Sequence, residues 1–203
     1  MTTDSNSGIW AWDIVKLIMV GSIMFFGSML FNFGFTEEGT REMIRWSARI
    51  SVVLFSLAFA ASGIHRLVQN SLTFWLLMNR KYLGISFAII HLEHLFFLVI
   101  LQYNFHPVFE KAKTISLIGG GLAYLFLVLM LLTSFKMFSQ FLSKRQWKIL
   151  HTVGGYWILF IFLRSYWKRA LTEYEYLPIA IILVLVIIVR LWPKKKTKEP
   201  LKN

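Results

Sequence analysis

The chain has 203 residues, of which 57% are hydrophobic and only 16% are charged. A soluble domain of this length needs more polar surface, so the composition predicts a polytopic membrane protein without a soluble catalytic domain. The absence of cysteine excludes disulfides, iron–sulfur clusters and thiolate haem ligation. The net charge of +12 is interpreted as basic residues that lie beside membrane lipid, and not as a surface that binds nucleic acid.

Six stretches of the chain are apolar and close to the roughly 20 residues of helix that cross about 30 Å of hydrocarbon. They predict an all-α fold, in which residues 1–203 form a single transmembrane bundle of six helices that ends in a basic tail at 194–203. Residues 67–80 are predicted either to extend the second span or to lie at the membrane surface as a short amphipathic piece. The predicted spans are 13–34, 47–68, 82–104, 114–135, 148–168 and 177–193.

The distribution of basic residues predicts the orientation of the chain. An even number of spans places both termini on the same side of the membrane. Of the 22 Lys and Arg residues, 14 would lie on the side of the termini and 8 on the other side. Because basic residues are enriched in cytoplasmic loops, both termini are predicted to be cytoplasmic.

Two histidines lie within separate predicted spans, each behind a basic and aromatic segment. His91 follows Arg80-Lys81 in the third span, and His151 follows Lys144–Lys148 in the fifth. An imidazole in hydrocarbon is costly and is a functional candidate by default. Two of them on helices that run in the same direction predict the axial ligation of a haem between the two helices. The alternative is that each histidine only bonds a neighbouring helix.

Small and basic residues near these histidines extend the predicted site. Gly155 lies four residues after His151, so it shares a helix face with it and leaves room for a porphyrin, although small residues also serve plain helix packing. The basic residues are expected to meet the haem propionates. His94, one turn beyond His91, is a substitute candidate for the iron ligand. The predicted cofactor-binding residues are His91, His151, Arg80, Lys81, Arg145, Lys148 and Gly155, with His91 and His151 as the iron ligands.

Three further polar residues have open roles. Glu93, an acid within the third span, is predicted either to pair with a polar group on another helix or to relay protons, and pairing is favoured. His65 is expected to contact a propionate or to reach the membrane surface. His106 is interpreted as a loop residue, with a second haem or a metal as the minor alternative.

Several short motifs, in this order, resemble those of the ferric reductase-like transmembrane domain superfamily. They are Arg80–Ile85 with His91 after it, Thr133-Ser134, Lys144–His151, Arg164–Lys168 and Arg190-Leu191-Trp192. The resemblance covers roughly residues 46–195. Within the superfamily, the chain is similar to the bacterial haem-binding subunit of the periplasmic methionine sulfoxide reductase system.

The resemblance implies six spans, b-type haem, and His91 and His151 at the positions of the family's iron ligands. Many members carry a further histidine where this chain has Arg164, so one haem, nearer the cytoplasm, is expected. FMN or a quinone is a further candidate cofactor. The protein is expected in a bacterial inner membrane, as an electron-transfer subunit between a cytoplasmic flavoprotein or quinol and an acceptor protein at the outer face. A non-redox scaffold, a small transporter and an accessory subunit of a larger complex are the alternatives.

Overall fold

The computed structural model describes residues 7–106 and 113–193, and within them almost every residue is helical and none belongs to a strand. The predicted all-α fold is therefore confirmed for this part of the chain, while the basic tail at 194–203 lies outside the described residues. A 3₁₀ turn at Tyr174–Tyr176 leads directly into the last helix. The helices are α1 (Ser7–Phe33), α2 (Glu37–Leu67), α3 (Ser71–Phe105), α4 (Lys113–Leu132), α5 (Lys136–Ser139), α6 (Lys144–Ala170) and α7 (Leu177–Leu191).

Long helices occupy the positions of all six predicted spans, and four of them have the length and composition of a membrane span. In α4 the apolar stretch that the structure describes is shorter, Ile118–Leu132. In α6 only the 15 residues between Lys148 and Arg164 carry no charge. The four candidate spans support a membrane protein, and they are Ala11–Phe33, Glu37–Leu67, Ser71–Phe105 and Tyr174–Leu191.

The segment 67–80 follows neither of its two predicted courses. α2 ends at Leu67, and Asn70 then caps a new helix, because its side chain accepts from the Thr73 amide while the Thr73 hydroxyl accepts from the Asn70 amide. This reciprocal capping pair satisfies amides that a helix start leaves unpaired. Residues 71–80 are therefore the first turns of α3, whose 35 residues span about 52 Å.

Small residues bring the helices close together in the centre of the bundle. α3 packs most extensively on α2. α7 packs on both α2 and α6, and α4 packs mainly on α6. At the α2–α7 crossing, a Cβ atom on Gly63 would lie only 2.7 Å from the Val189 carbonyl oxygen. α1 instead exposes large apolar side chains, such as Leu17 and Phe31, as expected for a surface that contacts lipid.

Two partly buried polar contacts tie α3 to its neighbours in the half of the bundle towards the end of α3. The Ser22 hydroxyl of α1 donates to Glu93 Oε1 at 2.9 Å. On the α2 side, His94 Nδ1 lies 3.0 Å from both the Ile44 carbonyl oxygen and the Ser47 hydroxyl. Because a carbonyl oxygen only accepts, His94 Nδ1 carries a proton. Glu93 thus bonds a polar group on another helix, as the favoured prediction had it.

Candidate functional site

A cavity of about 720 Å³ lies at the end of the bundle where α2 and α7 finish and α3 and α6 begin. This volume falls within the range of about 300–1,000 Å³ that is usual for small-molecule and cofactor sites. The rings of Phe55, Phe59 and Phe87 form one side of its apolar lining, and Leu127 and Met130 of α4 form another. The cavity therefore has the size and the apolar walls that suit a flat hydrophobic group.

Four basic side chains line the same cavity, namely Arg80, Lys81, Lys148 and Arg190. No acidic residue is among its lining residues in the part of the chain that the structure describes. The first three are exposed at the mouth, whereas Arg190 is half-buried. A ligand that is apolar over most of its surface and anionic at one edge would match this arrangement.

His151 lies on the wall of this cavity and is held in place by α4 and by its own helix. Its Nε2 atom lies 3.1 Å from the Thr133 hydroxyl. Its ring stacks on Trp147, with centroids 4.0 Å apart, and the Trp147 indole N–H donates to the Thr133 carbonyl oxygen at 3.0 Å. The Thr133 hydroxyl donates to the Leu129 carbonyl oxygen at 2.7 Å, so His151 Nε2 donates to Thr133 in this arrangement.

His91 does not line the cavity, although it lies on the face of α3 that does. Gly84 and Ala88 line the cavity, and His91 follows them by seven and three residues, which keeps it on their side of the helix. Its Nδ1 atom is buried and has no hydrogen-bond partner among the described residues. Four rings surround it at centroid distances of 4.9–5.5 Å, those of Tyr124, His94, Phe162 and Phe87.

The two glycines near the histidines have different surroundings. A Cβ atom on Gly84 would meet nothing within 4 Å, so the cavity wall is open there. A Cβ atom on Gly155 would lie 2.6 Å from Phe59 Cε2, so Gly155 is packed against an aromatic ring that itself lines the cavity. The structure thus assigns Gly155 a packing contact one layer behind the cavity surface.

The remaining predicted residues lie outside the cavity. Arg145 is exposed and is not part of the lining. His65 Nδ1 contacts the Thr73 hydroxyl at 2.9 Å, which joins the end of α2 to the start of α3. His106 ends α3 with a positive φ of 43°. Of the seven predicted cofactor-binding residues, the structure brings Arg80, Lys81, Lys148 and His151 together at the cavity, and it does not bring His91, Arg145 or Gly155 to its surface.

The described residues meet some of the needs of a haem site. Within the described ranges, no group of three or more His, Cys, Asp or Glu side chains is placed to hold a metal ion. Haem iron needs only two axial protein ligands, since the porphyrin supplies the other four. His151 lies on the cavity wall and offers one such imidazole. His91 Nδ1 has no partner among the described residues, and its ring would have to turn past Phe87 to offer the second.

Sequence reasoning missed Arg190 as a cavity residue. Arg190 was counted with the basic residues on the side of the termini and quoted in the motif Arg190-Leu191-Trp192, but it was given no role in the site, although an arginine inside the apolar run 177–193 was a usable signal. Phe59 also shapes the site, but in a chain with 17% aromatic residues nothing in the sequence singled it out. Trp147 belongs to the aromatic segment before His151, but its stacking on His151 was not predicted.

Comparisons of the chain with protein-family models, with curated proteins and with solved structures found no match. The resemblance to the ferric reductase-like superfamily therefore rests on the short motifs alone.

Proposed function

We propose that the protein binds one haem b in the cavity between α2, α3, α4, α6 and α7 and carries electrons through it across a membrane. The observation that supports this most is the composition of the cavity lining. It combines an imidazole, His151, with aromatic and aliphatic side chains and with four basic residues, and no acidic side chain of the described residues lines the same cavity. Apolar walls suit the porphyrin faces, and the basic residues suit its propionates.

His151 and His91 are the proposed iron ligands. His151 needs only to exchange its contact with Thr133 for the metal. His91 needs its ring to turn towards Gly84 and Ala88, into space that Phe87 now lines. The bound group would supply one-electron chemistry, and ligation by two imidazoles would leave no open iron position for a substrate.

The surrounding side chains have separate tasks in this proposal. Trp147, whose indole N–H donates to the Thr133 carbonyl oxygen, stacks on the His151 ring and fixes its orientation. Phe55, Phe59 and Leu127 exclude water from the porphyrin faces. Excluding water and holding two ligands rigidly lowers the reorganisation that accompanies each electron transfer, which suits a carrier.

The proposal includes six spans with both termini in the cytoplasm of a bacterial inner membrane. The basic cavity mouth is then cytoplasmic, because Arg80, Lys81 and Lys148 belong to the more basic side. A cytoplasmic flavoprotein or a membrane quinol is the proposed electron donor, and an outer-face protein is the acceptor. FMN or a quinone would be an additional cofactor.

The test is a redox difference spectrum of the purified full-length protein, with haem measured per chain. A b-type spectrum at one haem per chain, lost in His91→Ala and in His151→Ala, is the expected result. His65→Ala is the matched control, because His65 contacts Thr73 away from the cavity. Colourless protein from haem-replete cells would reject the proposal and favour the scaffold or transporter. Two haems per chain would reject the single site.

A further inference from the structure

Arg190 is the half-buried member of the four basic residues around the cavity. It lies in the last turn of α7 and reaches across to α2. Its Nη1 atom donates to the Ser62 hydroxyl at 2.6 Å and to the Phe59 carbonyl oxygen at 3.4 Å. Its guanidinium carbon lies 4.7 Å from the centroid of the Phe59 ring. These contacts hold the guanidinium at a defined position on the cavity wall.

Among the described residues, nothing bonds the rest of the guanidinium. Both hydrogen bonds involve Nη1, whereas an arginine carries five N–H donors in a planar fork. No carboxylate of the described residues forms a salt bridge with Arg190. A guanidinium stays charged in proteins, so it cannot escape the cost of partial burial by losing a proton. An anionic group in the cavity would offset that cost.

We infer that Arg190 binds a carboxylate of the cofactor, through the guanidinium nitrogens that Ser62 and Phe59 leave available. This inference rests on the proposed function. For haem b, the carboxylate is a propionate. Arg190 would then set which edge of the porphyrin enters the site first and would make the cavity selective for ligands with an anionic edge.

A purely structural role for Arg190 is the competing explanation, and the chain offers a matched control for it. Arg66 of α2 donates from Nη2 to the Val189 carbonyl oxygen of α7 at 3.3 Å. Arg66 and Arg190 thus join the same two helices in opposite directions, but Arg66 does not line the cavity. A substitution of Arg66 loosens the α2–α7 contact without removing a charge from the site.

The experiment compares haem b with its dimethyl ester, in which both propionates are uncharged. Full-length protein, purified without haem in detergent, is titrated with each compound, and binding is followed by the haem absorption band. Wild-type protein should bind haem about tenfold to a hundredfold more tightly than the ester, since a hydrogen bond to a charged group contributes about that factor. Arg190→Gln should abolish most of this preference, Arg190→Lys should keep part of it, and Arg66→Gln should keep all of it.

The outcomes separate this inference from the proposed function. Wild-type protein that binds neither compound rejects the proposed function and the inference with it. Wild-type protein that binds both equally well rejects the inference and leaves the haem site standing. Arg190→Gln with the full wild-type preference also rejects it. Where the glutamine variant does not fold, Arg190→Lys, which keeps the charge, takes its place: a reduced preference for haem over the ester supports the inference, and the full wild-type preference rejects it.

Discussion

Phe87 lines the cavity and packs against His91, with the two ring centroids 5.5 Å apart. His91 lies four residues after Phe87, so both side chains project from the same side of α3. Phe87 is itself buried, and it also contacts the rings of Phe55 and Phe162. The phenylalanine therefore occupies space that His91 needs if it is to reach a metal in the cavity.

Removal of the Phe87 ring should tighten haem binding. Phe87→Ala should destabilise the haem-free protein by about 3–5 kcal/mol, as is usual for a buried Phe→Ala change. In the proposed haem-bound state the contacts between Phe87 and His91 are broken, so a variant without the Phe87 ring no longer loses them when haem binds. The measurement pairs a haem titration with thermal unfolding in detergent.

Phe97→Ala is the control for Phe87→Ala. Phe97 is also a buried phenylalanine of α3, and it packs against Phe26 in a separate cluster. The substitution Phe97→Ala should therefore destabilise the fold without changing haem affinity. Weaker haem binding in Phe87→Ala would show that the ring supports the site and does not compete with it.

The Thr133 hydroxyl lies 3.1 Å from His151 Nε2, the atom that the proposed function assigns to iron. Thr133→Val removes a hydrogen bond of 3.1 Å, so it should lower the free energy of unfolding of the haem-free protein by about 1 kcal/mol. In the proposed haem-bound state that bond is already given up, so haem affinity should rise by about fivefold. Thr152→Val, at an exposed position on the same cavity, is the control. Weaker binding in Thr133→Val would mean that iron takes Nδ1 instead.

Two glycines should respond in opposite directions to the same substitution. Gly84→Ala adds a methyl group where nothing lies within 4 Å, and alanine favours a helix interior over glycine by about 1 kcal/mol, so the protein should become more stable. Gly63→Ala places its methyl 2.7 Å from the Val189 carbonyl oxygen, and the backbone of α7 must shift, at a cost of about 1–3 kcal/mol. Thermal unfolding of both variants in detergent checks the pair. Equal effects would contradict the close α2–α7 crossing.

The buried contact between α1 and α3 depends on Ser22. Ser22→Ala leaves Glu93 Oε1 without its donor, and Glu93 Oε2 already lacks a partner among the described residues. The expected loss is about 1–3 kcal/mol in the free energy of unfolding. Ser28→Ala is the control, because Ser28 is exposed and bonds only the carbonyl oxygen of Phe25 within its own helix. Equal loss in the two variants would refute a specific α1–α3 contact.

The six helices at the predicted spans were predictable from the sequence because each contains a long apolar run. The residues at which these helices begin and end were not predictable in the same way. The start of α3 was missed because Asn70 and Thr73 form a capping pair that a hydropathy pattern does not register. The fifth predicted span has helical length, but its basic ends leave it short of the composition of a membrane span, because Lys148 and Arg164 lie only 15 uncharged residues apart. Apolarity locates a helix, while side-chain hydrogen bonds decide where it begins.

The candidate site was predictable only where several of its residues lie close together in the sequence. Two such groups line the cavity, Arg80 with Lys81 in the first half of α3 and Lys148 with His151 in the first half of α6. Arg190 enters from α7, 39 residues after His151, and only the packing of α7 on α2 and α6 brings it there. The ring cluster around His91 also depends on three-dimensional packing, which no spacing along the chain encodes.

The central claim is that His91 and His151 hold one iron from opposite sides, and the electron paramagnetic resonance spectrum of the oxidised, haem-loaded protein tests it most directly. Wild-type protein should give a low-spin ferric signal, whereas His91→Ala and His151→Ala should each give a high-spin signal or lose the haem. A low-spin signal that persists unchanged in His91→Ala would contradict the claim.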